Sequence, residues 1–156
     1  MASIYFNEEH ILLQKMVREF SQNELAPLAQ EIDKNETFPL ESIKKISQLG
    51  LMGIPWETKY GGGGMDTLSL VIAIQELAKN CVSTAATVMA HTSLGTGPFQ
   101  YFGTDNQKEK YLAKLTTGEM IGSFGLTEPN AGSDAGNTQT TAILKGDYYI
   151  VNGQKA

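Results

Sequence analysis

Cysteine is almost absent from this chain, and that scarcity excludes more than any residue present in it. Cys81 stands alone among 156 residues, so an internal disulfide is impossible and a cysteine-rich zinc site has no ligands. A lone thiol suits a reducing compartment and favours the cytoplasm. Cys81 itself reads as a small buried hydrophobe within a helix. Histidine is nearly as scarce: His10 and His91 show neither an HExxH-type nor a paired-histidine spacing, and no metal is expected. His10, in the first turn of a helix, is expected on the surface, whereas His91 is expected to be a satisfied core histidine. Basic clusters are missing too. With 12 Lys and Arg against 17 Asp and Glu, the formal net charge is −5, and no nucleic acid is expected as a partner.

Three further absences narrow the choice. Residues 81–103 carry no formal charge, but Ser83, Thr84, His91 and Gln100 make the stretch too polar for a bilayer core. It reads as a buried helix, and no membrane span is expected. The run Gly61 to Gly64 lacks the Lys-Ser/Thr of a phosphate loop, and no strand pattern leads into it. It reads as a flexible turn that redirects the chain. Residues 1–9, M-A-S-I-Y-F-N-E-E, have neither the basic start nor the apolar run of a signal peptide. Their acidic pair also argues against a transit peptide.

What is present is an ordinary soluble composition, 41% hydrophobic and 19% charged, in a chain long enough for one domain and part of a second. Asn7 is a good N-cap, followed by an apolar stripe at Ile11, Leu12, Met16 and Phe20. Pro27 is expected to break or kink this helix, which resumes to about Asn35. Pro39 opens a second helix with Leu40, Ile43, Ile46 and Leu49 on one face and Gly50 as its cap. Asp66 caps a third through Leu68, Val71, Ile72 and Leu77, and a fourth runs from about Ser83 toward Phe102 with a bend near Pro98. Glu76 and Lys79 are the only formal charges between Asp66 and Asp105, so this pair is expected at the centre of the domain, with apolar surface left over. Thr104 or Asp105 caps a last helix over residues 107–115, ended by Gly118.

After Gly118 the period changes. Residues 120–126 and 138–144 read as strands, and Lys145-Gly146-Asp147 as a turn into a partner strand over 148–151. The fold class is therefore α+β. Residues 1–118 form an all-α helical bundle, and residues 119–156 give the first strands of an antiparallel β domain.

Residues 124–137 read F-G-L-T-E-P-N-A-G-S-D-A-G-N. A turn crowded with Asn130, Gly132, Ser133, Asp134 and Gly136 exposes backbone N–H groups and hydroxyls on one concave surface, which suits an anion such as a phosphate. Thr127 offers a hydroxyl and an N–H to the edge of a flat heterocycle, and Gly132 lets a ligand approach the backbone closely. On residue types alone, turns of this kind are common, and a well-hydrated connection between strands is favoured over a ligand site.

The same segment resembles the L-T-E-P-x-x-G-S-D signature of the acyl-CoA dehydrogenase family. Supporting spellings are Asn7-Glu8-Glu9-His10, Ile54-Pro55 ahead of Tyr60-Gly61-Gly62, and Phe102-Gly103 before Gln107-Lys108. Ser83-Thr84 followed by His91-Thr92-Ser93-Leu94 looks most like the short-chain, butyryl-type members. The resemblance implies a flavoprotein oxidoreductase of fatty acid metabolism, carrying FAD and dehydrogenating a short-chain acyl-CoA at its α,β bond. Its electrons would pass to an electron-transfer flavoprotein, and it would be a homo-oligomer, tetrameric by family.

By that resemblance Phe124, Gly125, Leu126 and Thr127 line FAD, with Thr127 at the pyrimidine side. Gly132 and Ser133 lie near the pyrophosphate, and Ser133 also near the acyl-CoA. The family's catalytic glutamate is expected beyond residue 156, so no catalytic residue is assigned here and the 156 residues alone are expected to be inactive. Glu128, before Pro129, is expected to shape the turn rather than act as that base, and Asp134 to stabilise the turn through its carboxylate. Family members continue with a Trp-Ile-Thr/Ser segment against the flavin, a role Trp56 does not fill. Two other readings stay open: a flavin oxidase or monooxygenase relative of the same fold, and a truncated, non-catalytic helical binding or assembly module.

Overall fold

The computed structural model describes residues 5–156; Met1, Ala2, Ser3 and Ile4, part of the stretch without a leader pattern, lie outside the described residues. Helix α1, Glu8–Phe20, starts with a reciprocal cap. The Asn7 side chain accepts the His10 N–H at 2.8 Å while the His10 ring accepts the Asn7 N–H at 3.2 Å. The other ring nitrogen, Nε2, then donates to the Asp66 carboxylate at 3.0 Å. His10 is only 5% exposed, which corrects the expected surface position. The pinned ring also sets the buried seam of α1, which is His10, Leu13 and Val17. Ile11 and Leu12, expected on the core side, are exposed.

Pro27 does not break the chain. A wide π-turn, Ser21–Leu25, carries α1 into α2, Ala26–Lys34, and Pro27 falls in the first turn of α2, directly after the widened turn. Helix α3, Leu40–Gln48, buries Ile43 and Ile46 and leaves Leu40 and Leu49 exposed. Gly50 closes it at φ +73°. The glycine run is a close-packed turn rather than a flexible one. Gly63 donates to the Gly53 carbonyl at 2.9 Å and Gly64 to that of Trp56 at 2.8 Å. A Cβ on Gly62 would lie 2.2 Å from the Trp56 carbonyl oxygen, so a side chain has no room there.

Helix α4, Thr67–Ala78, is capped by Asp66, which accepts the Ser69 N–H at 2.8 Å. Cys81, buried as expected, sits at the N-cap of α5, Val82–Ala90, with Sγ 3.0 Å from the Thr84 hydroxyl. A second π-turn, His91–Gly95, leads to α6, Gly97–Phe102. Thr104 then caps α7, Asp105–Gln107, which continues through a third π-turn, Lys108–Leu112, into α8, Ala113–Thr116.

The core joins Leu13, Val17, Leu25, Ile43, Ile46 and Leu77 with Ala85 and Val88, so α4 and α5 occupy the centre as expected. Inside it lies one carboxylate. Glu76 is 0% exposed, receives two bonds from Arg18 at 3.1 Å and one from Lys79 at 2.7 Å. Burial pushes its pKa up, but the hydrogen bonds and charges of Arg18 and Lys79 outweigh burial and hold it below the ordinary glutamate value. Val82, Met89, Leu94, Tyr101 and Phe102 stay exposed on the uncharged helices.

The chain divides after Ser123 into two compact units. In the second, Phe124–Ala156, β1, Thr141–Lys145, pairs antiparallel with β2, Tyr148–Asn152, placing Thr141 opposite Asn152 and Lys145 opposite Tyr148. Gly146 turns between them at φ +64°. Residues 120–126, expected as a strand, are irregular. Their donors go elsewhere: Met120 N–H to the Lys114 carbonyl at 3.0 Å and Gly122 N–H to the His91 ring at 2.9 Å. Likewise β1 begins later than residue 138, because the Gln139 and Thr140 N–H groups point at a carboxylate instead of a ladder.

Candidate functional site

Glu128 organises the second unit. Its carboxylate, 6% exposed, accepts the Gln139 N–H at 2.6 Å, the Thr140 N–H at 3.0 Å and the Lys155 ammonium at 2.9 Å. Thr140, Gln139 and Lys155 together hold its pKa down at about 2. A carboxylate that already accepts three donors, and so is hard to protonate, is a structural anchor, as expected for the residue before Pro129, and it is unsuited to abstract a proton near neutrality. Around it the chain folds into a tight loop. Glu128 and Ala131 exchange both backbone hydrogen bonds at 3.1 Å, and Asp134 closes the short 3₁₀ turn Ala135–Asn137 by accepting the Asn137 N–H at 3.1 Å. Asp134 thus stabilises the turn through its carbonyl, where its carboxylate was expected to do so.

Phe124, Gly125, Leu126 and Thr127 lie in the irregular segment leading to this anchor. Phe124 and Leu126 are 49% and 43% exposed. Lys155 donates to the Leu126 carbonyl at 2.9 Å, and the Ala156 N–H to that of Thr127 at 2.9 Å. Both carbonyls are therefore occupied by residues 155 and 156, while Thr127 remains exposed. Beyond the anchor, Gly132 and Ser133 are exposed, and a Cβ built on Gly132 would meet nothing within 4 Å. Neither a positive φ nor an internal close approach demands glycine at position 132.

The six residues singled out from sequence thus fall on one short loop within one compact unit. Two exposed hydroxyls, an open stretch of backbone and two apolar side chains share it, and its one buried carboxylate is neutralised by Lys155. The arrangement suits a ligand combining a flat apolar body with an anionic group. Lys155 was missed at the sequence level. It lies 27 residues from its partner Glu128, and no local spacing announces such a contact.

Comparison with known proteins bears on the whole chain. Residues 7–119 match the family description "Acyl-CoA dehydrogenase, N-terminal domain". The short-chain specific acyl-CoA dehydrogenase of Clostridium acetobutylicum is 52% identical over 147 residues, covering 94% of this chain and 39% of the relative. The butyryl-CoA dehydrogenase structure from Megasphaera elsdenii superposes with a TM-score of 0.91 at 39% identity, over 98% of this chain and 41% of that one. A chain in the structure described as the electron transferring flavoprotein of Acidaminococcus fermentans gives a TM-score of 0.94 at 43% identity, over 98% of this chain and 40% of that one. The 156 residues therefore span about two fifths of the length of the proteins they match. With the helical order, the hairpin and the loop all in place, this chain belongs to the acyl-CoA dehydrogenase family.

Proposed function

We propose that residues 124–133 form the flavin-contacting face of an FAD-dependent dehydrogenase acting on short-chain acyl-CoA thioesters. One observation carries this reading: a single loop, built on a neutralised glutamate, presents exposed hydroxyls at Thr127 and Ser133, open backbone at Gly132 and apolar side chains at Phe124 and Leu126. That donor set fits FAD. Phe124, Gly125, Leu126 and Thr127 would contact the flavin ring, with Thr127 at its pyrimidine edge. Gly132 and Ser133 would hold the pyrophosphate, and Ser133 would also meet the acyl-CoA. Bound FAD would supply the hydride acceptor for α,β-dehydrogenation.

The residues of this chain bind and orient, and no proton transfer is assigned to them. Glu128 is excluded as the base by its three donors and its low pKa, and we assign the base to no residue of the 156. In this reading residues 1–118 are the N-terminal α-helical domain, and residues 119–156 open the middle β domain. The complete protein would be cytoplasmic and homo-oligomeric, a tetramer by family, and would pass electrons to an electron-transfer flavoprotein. The likeness to the Acidaminococcus fermentans structure supports that acceptor.

The test uses the product of the complete reading frame that encodes these residues. A flavin absorption spectrum that butyryl-CoA bleaches under anaerobic conditions is expected. Oxygen consumption without an added acceptor would redirect the reading to an oxidase or monooxygenase. A product without flavin would overturn it, leaving a helical binding or assembly module.

A further inference from the structure

Among the described residues Lys155 is the one cation seen to bond the loop, and it does two things there. Its ammonium donates to the Leu126 carbonyl at 2.9 Å and to Glu128 Oε1 at 2.9 Å. The Leu126 carbonyl and the Thr127 N–H belong to the same peptide group. A charge-assisted bond to the carbonyl draws electron density across that group and strengthens its N–H as a donor, the cooperative effect expected along hydrogen-bonded chains. Thr127 is also fixed through its own carbonyl, which accepts the Ala156 N–H at 2.9 Å. The donor is therefore both polarised and held in direction. Glu128 competes for the same ammonium and moderates the effect.

We propose that Lys155 is a positioning residue that sets the donor strength of the Thr127 N–H, and through it the preference of the site for reduced over oxidised flavin. The proposal rests on the reading of Thr127 as the residue at the pyrimidine edge. Reduction places more negative charge on that side of the ring, so a stronger donor there binds the reduced form more tightly. Lys155 and Glu128 act with opposite sign. Loss of the cation weakens the donor, whereas loss of the competing carboxylate charge leaves the cation to the Leu126 carbonyl.

The experiment measures the midpoint potential of bound flavin, by dye-coupled reduction, in the complete protein carrying Lys155→Met, Lys155→Arg or Glu128→Gln. Lys155→Met is expected to weaken reduced relative to oxidised flavin about tenfold, a shift of ~30 mV to more negative potential for a two-electron couple. Lys155→Arg should restore most of it, and Glu128→Gln should shift the potential the other way. The Thr127 amide resonance, recorded without flavin, should move in Lys155→Met. A role confined to folding predicts shifts of the same sign in both variants, or none, and either result overturns the proposal while leaving the flavin site standing. If Lys155→Met fails to fold, an unmoved potential in Glu128→Gln overturns it equally. Absence of flavin from the unsubstituted protein overturns the site reading itself.

Discussion

The helical unit and the hairpin use the same kinds of side chain in opposite ways. Up to Ser123 a set of large aliphatic residues turns inward, Ile43, Ile46, Leu51, Met52, Ile54 and Leu77 all at most 2% exposed, while others such as Leu12, Val82 and Leu94 stay outside. In β1 and β2 every residue is exposed, Ile143, Leu144, Tyr149 and Val151 among them. The helical unit closes a core of its own, whereas the second unit is organised by polar contacts to one buried glutamate. The difference teaches where stability is local. A two-stranded hairpin with apolar residues on both faces has no core to defend, and its fixed points are the Glu128 carboxylate and the Lys155 ammonium.

The contrast can be broken most severely from the helical side. Ile46→Ala removes three carbons from a fully buried site and should cost about 3 kcal/mol, read as a lower urea midpoint at unchanged slope. His91→Phe comes next. His91 is fully buried, with Nε2 donating to the Leu115 carbonyl at 3.0 Å and Nδ1 accepting the Gly122 N–H at 2.9 Å. Losing both bonds should cost about 2 kcal/mol. Burial lowers the His91 pKa below 6.5, although its bond to Leu115 opposes the shift. The unfolded chain therefore takes up this proton first. The stability His91 lends is complete above pH 6.5 and declines as pH falls below it, and that slope should vanish in His91→Phe.

Acid should then loosen both units. Ser69 and His10 hold Asp66 at about 2, from an ordinary 3.8, and Thr140, Gln139 and Lys155 hold Glu128 at about 2, from 4.5. Both are lowered carboxylates, so their contribution is present above those ordinary values and is lost as pH falls toward 2. Amide exchange at Ser69 and at Thr140 would follow the two transitions separately. The smallest effect is expected from Ile143→Ala on the exposed hairpin, within about 0.5 kcal/mol. A loss comparable with that of Ile46→Ala would show that the hairpin is buried in the protein tested.

Element types were legible where local chemistry decides them. The caps at Asn7, Asp66 and Thr104, the stops at Gly50 and Gly118, and the turn at Gly146 follow from side chains that bond their own neighbourhood. Faces were harder. The seam of α1 runs through His10, a polar residue that counts as exposed until its partner Asp66, 56 residues on, comes into view. Three π-turns also shift the helical period, so a stripe counted at constant spacing drifts away from the buried side. Residues 120–126 carry a strand composition, but the Met120 donor goes back to the Lys114 carbonyl and the Gly122 donor to His91, 31 residues away. The loop itself was legible as a motif, and its anchor was legible only in part. Glu128 could be read as a turn residue from Pro129, while Lys155 required the fold.

Trp56 offers a last consequence. It is the only tryptophan in the chain, is buried in the helical unit, and donates its indole N–H to the Thr96 hydroxyl at 2.6 Å. Its fluorescence therefore watches the helical unit, and the loop and hairpin carry no tryptophan of their own. An unfolding curve followed at the indole would report the closed helical core alone. The loop and hairpin need a second observer, and the exposed Tyr148 and Tyr149 on β2 are already placed to provide one.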